Sequence, residues 1–219
     1  MKKILNKRLE SISAFITDNE KIIDIGCDHA LLDIYLVLNR NNLKVIASDI
    51  NEKPLIKAKE NLEKYNVSDK IELKCGNGLD PMDKDIETII ISGMGGITIT
   101  TILRSIKSYP NVKKIILSPN CDFPLVRKSL QNHKFTVNKE IMVYEKEKYY
   151  LISEYIPGNK KVNNYFGKLD VSNDTVKSYY KSIYNKNKKI LSKLPFFKII
   201  KRFSLIKENI LIKKKIDLS

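Results

Sequence analysis

The sequence predicts an α/β fold built on a mostly parallel sheet, with a helical hairpin appended at its C-terminal end. Three observations carry that expectation. Short runs of β-branched residues, such as residues 22–25 and 89–91, end in glycine or polar turns and give way to segments with helical spacing. Apart from Asp24 these runs are apolar rather than alternating, as strands covered on both faces of a parallel sheet are. After Pro157-Gly158 the composition changes, and apolar residues step by four and three through a lysine-rich background.

The chain is organised around Lys21-Ile22-Ile23-Asp24-Ile25-Gly26-Cys27-Asp28-His29-Ala30, a buried strand ending in a tight turn. Leu31, Leu32, Ile34, Tyr35, Leu36 and Leu38 then form an apolar helix, which completes the first unit of a nucleotide-binding sheet. Upstream, residues 3–17 set Leu5, Leu9, Ile12 and Ile16 at helical spacing, with Lys7 and Arg8 on the other face, as solvated surface or as a phosphate contact. Further strands are expected at 43–48, 70–74, 88–92 and 115–117, and a helix at 53–65. Two more strands, 135–141 and 149–155, flank the charged hairpin Glu145-Lys146-Glu147-Lys148 and make the last strand antiparallel. Seven strands in this pattern give a Rossmann-like sheet of the kind found in S-adenosylmethionine methyltransferases. In the hairpin, Val176, Tyr180, Ile183, Asn187, Ile190, Leu194 and Phe197 form one seam, Pro195 interrupts, and Ile199, Phe203, Ile206 and Ile210 form a second. The expected domains are 1–157, a catalytic sheet domain, and 158–219, a basic helical, coiled-coil domain.

The 219 residues are 42% hydrophobic, enough to bury a core, and carry a net charge of +15. Residues 158–219 hold sixteen Lys and Arg against four Asp and Glu, so almost all of the excess belongs to the hairpin. That placement suggests a polyanionic partner more strongly than the total, because abundant Lys, Asn and Ile also follow from an A/T-biased genome. Cys27, Cys75 and Cys121 are far apart and form no C-x-x-C, which excludes a zinc ribbon and points to reduced thiols in a cytoplasm. No run approaches the roughly 18 apolar residues of a membrane span.

The ligand is indicated by a missing glycine. A dinucleotide site needs G-x-G-x-x-G so that bare backbone can meet a pyrophosphate. Here Gly26 stands alone and Asp28 takes the place of the second glycine. A carboxylate there repels phosphate and suits a cationic, phosphate-free ligand. S-adenosylmethionine, with its sulfonium, ammonium, carboxylate and adenosine, fits. The Gly26 turn would offer backbone N–H groups to the ligand carboxylate near the helix start, with Asp24 or Asp28 on the ammonium; the plainer alternative is a strand-turn-helix with an N-cap Asp. His29, in the same turn, would orient Asp28. Asp49, at a strand end, is placed to hold ribose hydroxyls, with Ile50 and Asn51 bordering the adenine. Gly76-Asn77-Gly78 lets backbone approach the adenine, or is an ordinary Asn-Gly turn. Gly93-Met94-Gly95-Gly96 admits a flat ligand or another backbone, and Met94 would pack under the cofactor. Asn120, after Pro119, can pair with the edge of an adenine, or is part of an ordinary turn. His29 and His133 are the only histidines, and no metal constellation exists.

Taken together, Arg8-Leu9, Asp24-Ile25-Gly26-x-Asp28-His29-Ala30, Gly76-x-Gly78-Leu79, Gly93-Met94-Gly95-Gly96 and Pro119-Asn120, followed by the hairpin, resemble the bacterial tRNA adenine-22 N1-methyltransferases (TrmK) over nearly the whole chain. The resemblance implies transfer of a methyl group from S-adenosyl-L-methionine to N1 of adenine 22 in tRNA. It implies a Rossmann-type domain with a C-terminal coiled coil that holds tRNA. On that footing Asp28 is the candidate for stabilising the cationic product and Asn120 for orienting the base. The cofactor would meet Asp24, Gly26, Asp28, His29, Asp49, Ile50, Asn51, Gly76, Asn77, Gly78, Gly93 and Met94. The substrate would meet Arg8, Gly95, Gly96, Pro119 and Asn120. Three positions depart from the family: Asn77 where Asp is frequent, Asp33 where Pro is frequent, and Ser118 where Gln is frequent. A cytoplasmic monomer without metal or membrane association is expected. The competing expectations are a methyltransferase acting on rRNA or a small molecule, and a non-catalytic basic RNA-binding protein with a vestigial cofactor fold.

Overall fold

The computed structural model describes residues 4–216, so the start of the predicted N-terminal helix at residue 3 lies outside the described residues. The chain divides into two compact units, Met1–Lys168 and Leu169–Ser219.

The first unit is a seven-stranded sheet with helices on both faces. Its elements in chain order are α1 (Lys7–Ser13), β1 (Lys21–Ile25), α2 (Leu31–Asn39), β2 (Lys44–Asp49), α3 (Glu52–Lys64), β3 (Ile71–Cys75), β4 (Thr88–Ser92), α4 (Gly96–Ile102), a 3₁₀ turn (Leu103–Ser108), β5 (Lys114–Ser118), α5 (Phe123–Asn132), β6 (Phe135–Glu145) and β7 (Lys148–Pro157). The spatial order is β3-β2-β1-β4-β5-β7-β6. The first five strands are parallel, and β7 runs antiparallel between β5 and β6. Alternation along each strand builds the two cores. Ile22, Ile90 and Ile116 point to the face covered by α1 and α2, where they meet Ile12, Ile16, Leu32 and Leu36. Ile23, Ile25, Ile89, Ile91, Ile115 and Leu117 point to the other face, under Ile99, Val126 and Leu130.

Helix α1 and strand β6 depart from expectation, and the β3–β4 connection is irregular, each for a clear cause. Helix α1 spans seven residues rather than fifteen, because the Asn6 side chain accepts from the Leu9 N–H at 2.9 Å and starts the helix there. No helix bridges β3 and β4. Gly76, Gly78 and Pro81 break the periodicity, and the connecting loop instead buries Leu79, Met82 and Ile86 in the core. Strand β6 extends to Glu145 because Lys146 and Glu147 adopt φ of 46° and 62°, the two left-handed positions of a tight hairpin turn. Neither residue type signals such a turn.

The division between units falls after Lys168, eleven residues beyond the expected 157/158. Residues 158–168 are tied into the sheet unit by a buried ion pair. Arg127 Nε lies 2.8 Å from Glu140 Oε1, and its Nη1 donates to the Asn164 and Tyr165 carbonyls at 2.8 and 2.9 Å. Glu140 accepts in turn from Ser153 Oγ and from the Lys168 N–H, at 2.9 and 2.6 Å.

The second unit holds α6 (Asp174–Lys193) and α7 (Ile199–Ile216), an antiparallel pair. Asn173 caps α6 by accepting from the Thr175 and Val176 N–H groups. The predicted seam on α6 holds: Val176, Tyr180 and Asn187 are buried, and Ile183, Ile190 and Leu194 half-buried, although Phe197 is exposed. The predicted seam on α7 does not. Ile199, Phe203, Ile206 and Ile210 face solvent, and α7 instead turns half-buried Leu205 and buried Asn209, Ile212 and Ile216 inward. The cause is a polar pair inside the hairpin. Asn187 Nδ2 donates to Asn209 Oδ1 at 3.1 Å and to Glu208 Oε2 at 2.8 Å, and this fixes the rotation of a helix that is apolar on both sides.

Candidate active site

The loops after β1, β2, β3, β4 and β5 lie side by side at the carboxyl edge of the sheet, where the strand order reverses between β1 and β4. Backbone hydrogen bonds join them in pairs. The Gly26 N–H donates to Ser48 O, Gly76 N–H to Asp49 O, Gly93 N–H to Ser118 O, and Asn120 N–H to Met94 O. Gly26 and Gly93 take φ of +78° and +80°, which reverse the chain sharply at the ends of β1 and β4 and leave space above the sheet.

That space is a crevice with two chambers that share Gly26, Asp49 and Met94. The first, of about 350 Å³, is lined by charged groups: Arg8, Asp24, Asp28, His29 and Asp49, with Gly93 and Leu32. The second, of about 310 Å³, is largely apolar: Ile25, Ile50, Ile97 and Ile102 with Gly76, Asn77, Gly78, Thr98 and Thr101. A charged compartment joined to a flat apolar one matches a ligand with a zwitterionic end and an aromatic end.

Asp24 is the central group of the charged chamber. It sits within β1, 4% exposed, and its Oδ1 has no hydrogen-bond partner. Burial pushes its carboxyl up to about 7; Arg8 opposes that shift and the nearby Asp49 adds to it. Behind it Asp33 of α2 is fully buried, with neither carboxylate oxygen partnered. Burial, and then the charge of Asp24, raise its pKa well above the usual carboxylate range. Burial likewise pushes the Cys27 thiol up, which disfavours its thiolate. Arg8 reaches in from α1. A Cβ placed on Gly93 would stand 3.2 Å from Arg8 Nη1, and the guanidinium carbon lies 5.3 Å from the centre of the Tyr150 ring. Asp28 is exposed at the mouth of this chamber, with His29 Nδ1 3.5 Å from its Oδ1. Asp49 accepts from the Asn51 N–H at 2.9 Å.

Most of the expected cofactor residues therefore converge: Asp24, Gly26, Asp28, His29, Asp49, Ile50, Gly76, Asn77, Gly78, Gly93 and Met94 all line the crevice. Asn51 does not; it is the N-cap position of α3. Of the expected substrate residues, Arg8 lies inside the charged chamber, whereas Gly95, Gly96, Pro119 and Asn120 line neither chamber. Gly96 is buried, and a Cβ there would meet Asp122 Cβ at 2.7 Å and Cys121 O at 2.9 Å, so internal packing alone demands this glycine. Asn120 is exposed, with Nδ2 donating to Gly93 O at 2.6 Å. The expected use of the Gly26 turn also changes. Its N–H and that of Cys27 both donate to Ser48 O, which continues the parallel ladder and leaves neither for a ligand. The face of α4 formed by Ile97, Thr98, Thr101 and Ile102 escaped the sequence reading. Its signal was a β-branched run directly after the glycine cluster. Among the described residues no group of His, Cys, Asp and Glu could hold a metal ion, and no helix is long and apolar enough to cross a membrane.

Sheet order, glycine turns and an acidic crevice at the carboxyl edge together define the class: the fold and site of a methyltransferase. The methyltransferase-domain family model matches residues 5–153. The chain is 34% identical over 148 residues to the Bacillus subtilis tRNA (adenine(22)-N(1))-methyltransferase, a match spanning 67% of this chain and 62% of that enzyme. Structural likeness reaches further. M. capricolum TrmK, solved with S-adenosyl-homocysteine, superposes with a TM-score of 0.87 at 29% identity, over 98% of this chain and 99% of that one. B. subtilis TrmK superposes with a TM-score of 0.84 at 25% identity, over 97% and 98%. The chain belongs to the methyltransferase-domain family, and over nearly its whole length it is similar in structure to these two TrmK enzymes.

Proposed function

We propose that the protein methylates N1 of adenine 22 in tRNA, using S-adenosyl-L-methionine, as a cytoplasmic monomer. The observation that carries this reading is the unpartnered buried oxygen of Asp24 inside a two-chambered crevice. A buried acceptor without a partner is costly, and a ligand ammonium removes that cost. The residues present fit the cofactor. Asp24 takes its ammonium, and Arg8, in the same chamber, takes its carboxylate. Asp49 holds the ribose hydroxyls, and Ile25, Ile50, Ile97 and Ile102 enclose the adenine. Bound there, the cofactor supplies an electrophilic methyl group on sulfonium.

The chain's remaining work is alignment. Adenine N1 carries an exposed lone pair and needs no strong base, so holding it in line supplies most of the advantage. The product ring is cationic. Asp28, exposed at the crevice mouth, provides negative potential where that charge develops. Asn120 has its Nδ2 engaged by Gly93 O, which orients its Oδ1 for a base amino group. The second unit, with ten Lys and Arg and no acidic residue between positions 175 and 207, holds the tRNA phosphates. N1 is used in Watson–Crick pairing, so a paired target must be extruded or its stem remodelled.

The test incubates the full chain with S-adenosyl-L-methionine and tRNA transcripts, and analyses nucleosides by mass spectrometry. One equivalent of 1-methyladenosine is expected, and none when adenine 22 is replaced by guanine. Equal methylation of the replaced transcript, or methylation of rRNA alone, would overturn the assignment.

A further inference from the structure

The turn of the helical hairpin carries groups that phosphate binding does not use. Pro195 ends α6, and Arg202 then locks the turn: its Nη1 donates to the carbonyls of Leu191 and Leu194 at 3.2 and 2.8 Å. The turn so fixed projects Phe196 and Phe197, 85% and 64% exposed. Their ring centroids are 6.0 Å apart with planes at 78°, so each ring presents a separate face. Phe203, on the first turns of α7, is 68% exposed and extends this surface. Lysines surround it. Lys198 Nζ lies 5.8 Å from the centre of the Phe197 ring. Lys186, Lys189 and Lys193 border an adjoining groove of about 370 Å³ floored by Ile190 and Leu194.

Large apolar side chains held in the open on a fixed turn mark a contact surface. Charge selects the partner. Thirty-three residues, 175–207, contain ten Lys and Arg and no Asp or Glu, so a second copy of this face is repelled and a polyanion is attracted. Flat rings set among ammonium groups match nucleic acid whose bases are unstacked, since each such base offers a π-face beside its phosphate. A continuous duplex hides those faces; the loops of a folded RNA expose them.

We propose that Phe196 and Phe197 form a stacking platform for unstacked loop bases of the RNA substrate, with the neighbouring lysines on the flanking phosphates. This inference rests on the tRNA reading above and adds base stacking to it. It assigns the hairpin a preference for looped RNA that lysines alone do not give.

The test uses the full chain with the paired substitutions Phe196→Ala/Phe197→Ala, Phe196→Leu/Phe197→Leu and Phe196→Tyr/Phe197→Tyr. Affinity for a tRNA transcript is measured across salt concentrations, beside an RNA duplex of equal length. The alanine pair is expected to weaken tRNA binding about tenfold or more while leaving the salt slope unchanged. Tyrosines restore binding, leucines do not, and the duplex binds every variant alike. Unchanged calorimetric binding of S-adenosylhomocysteine verifies the fold of each variant. The proposal is overturned if the alanine pair binds tRNA like the parent, or if leucines restore it fully. It is equally overturned if the substitutions act only on binding to anionic phospholipid vesicles or on a dimer seen in sedimentation. A parent protein that methylates tRNA beside an unaffected alanine pair sinks this inference alone. A parent that neither binds nor methylates tRNA sinks both.

Discussion

Asp24 shows how one buried residue links burial, charge and ligand. It lies within a strand, on the face that otherwise carries Ile22, and an apolar residue there would serve the sheet better. Burial raises its carboxyl to about 7, well above the ordinary carboxylate value, so near neutrality it is close to half protonated before ligand arrives. An ammonium binds the anion only. Cofactor affinity is therefore expected to be flat above about pH 8 and to fall below pH 7, approaching tenfold per pH unit. Calorimetry with S-adenosylhomocysteine between pH 5.5 and 8.5 checks this, and Asp24→Asn should lower affinity and abolish the slope. A slope that survives in the asparagine variant would place the titrating group elsewhere. Arg8 shows the opposite relation between sequence and site. Its sequence context, an amphipathic N-terminal helix, left surface and phosphate contact as the options, yet folding brings it into the chamber that holds Asp24. Nothing within ten residues of Arg8 encodes that neighbour.

At the scale of elements, residues 164–168 are held against the sheet of the first unit by charge rather than by composition. Arg127 and Glu140 are both essentially fully buried and bind α5, β6 and residues 164–168 together. A buried pair is weak proof of stability, but halving it leaves a bare charge in the core. Arg127→Met is expected to cost about 3–5 kcal/mol in urea unfolding, and the double variant Arg127→Met/Glu140→Leu distinctly less than the single one. Equal losses in both would mean that packing, not the orphaned carboxylate, is at stake. Pro157 ends β7, as the change of composition after it suggests. The division falls later because hydrogen bonds from distant residues hold the following segment, and no local pattern records them. The β6–β7 turn was placed by its charges, but its two left-handed residues carry no turn signature.

At the scale of the whole molecule, the crevice and the densest positive charge fall in different units. The first unit holds the crevice and a net charge of +6 over 168 residues, and the second holds +9 over 51 residues. A chain ending at Lys168 is expected to keep its affinity for S-adenosylhomocysteine within about twofold. Its tRNA affinity at 0.1 M salt should fall at least about tenfold, and its log-affinity against log-salt slope should flatten. Filter binding checks this, and undiminished tRNA binding would remove the hairpin from the substrate site. The sequence by itself determined the strands, their glycine-rich ends, the acidic residue in the turn after the first strand, and the basic hairpin. Each of these depends on residues within one turn or one strand, through periodicity, φ preference and charge. Only the tertiary structure decided which stripe of α7 is buried, where the units divide, that Gly96 answers to Asp122, and that Arg8 faces Asp24. Those outcomes depend on partners far along the chain. A helix with two apolar faces, or a basic residue with two possible neighbours, has no local preference that settles the choice.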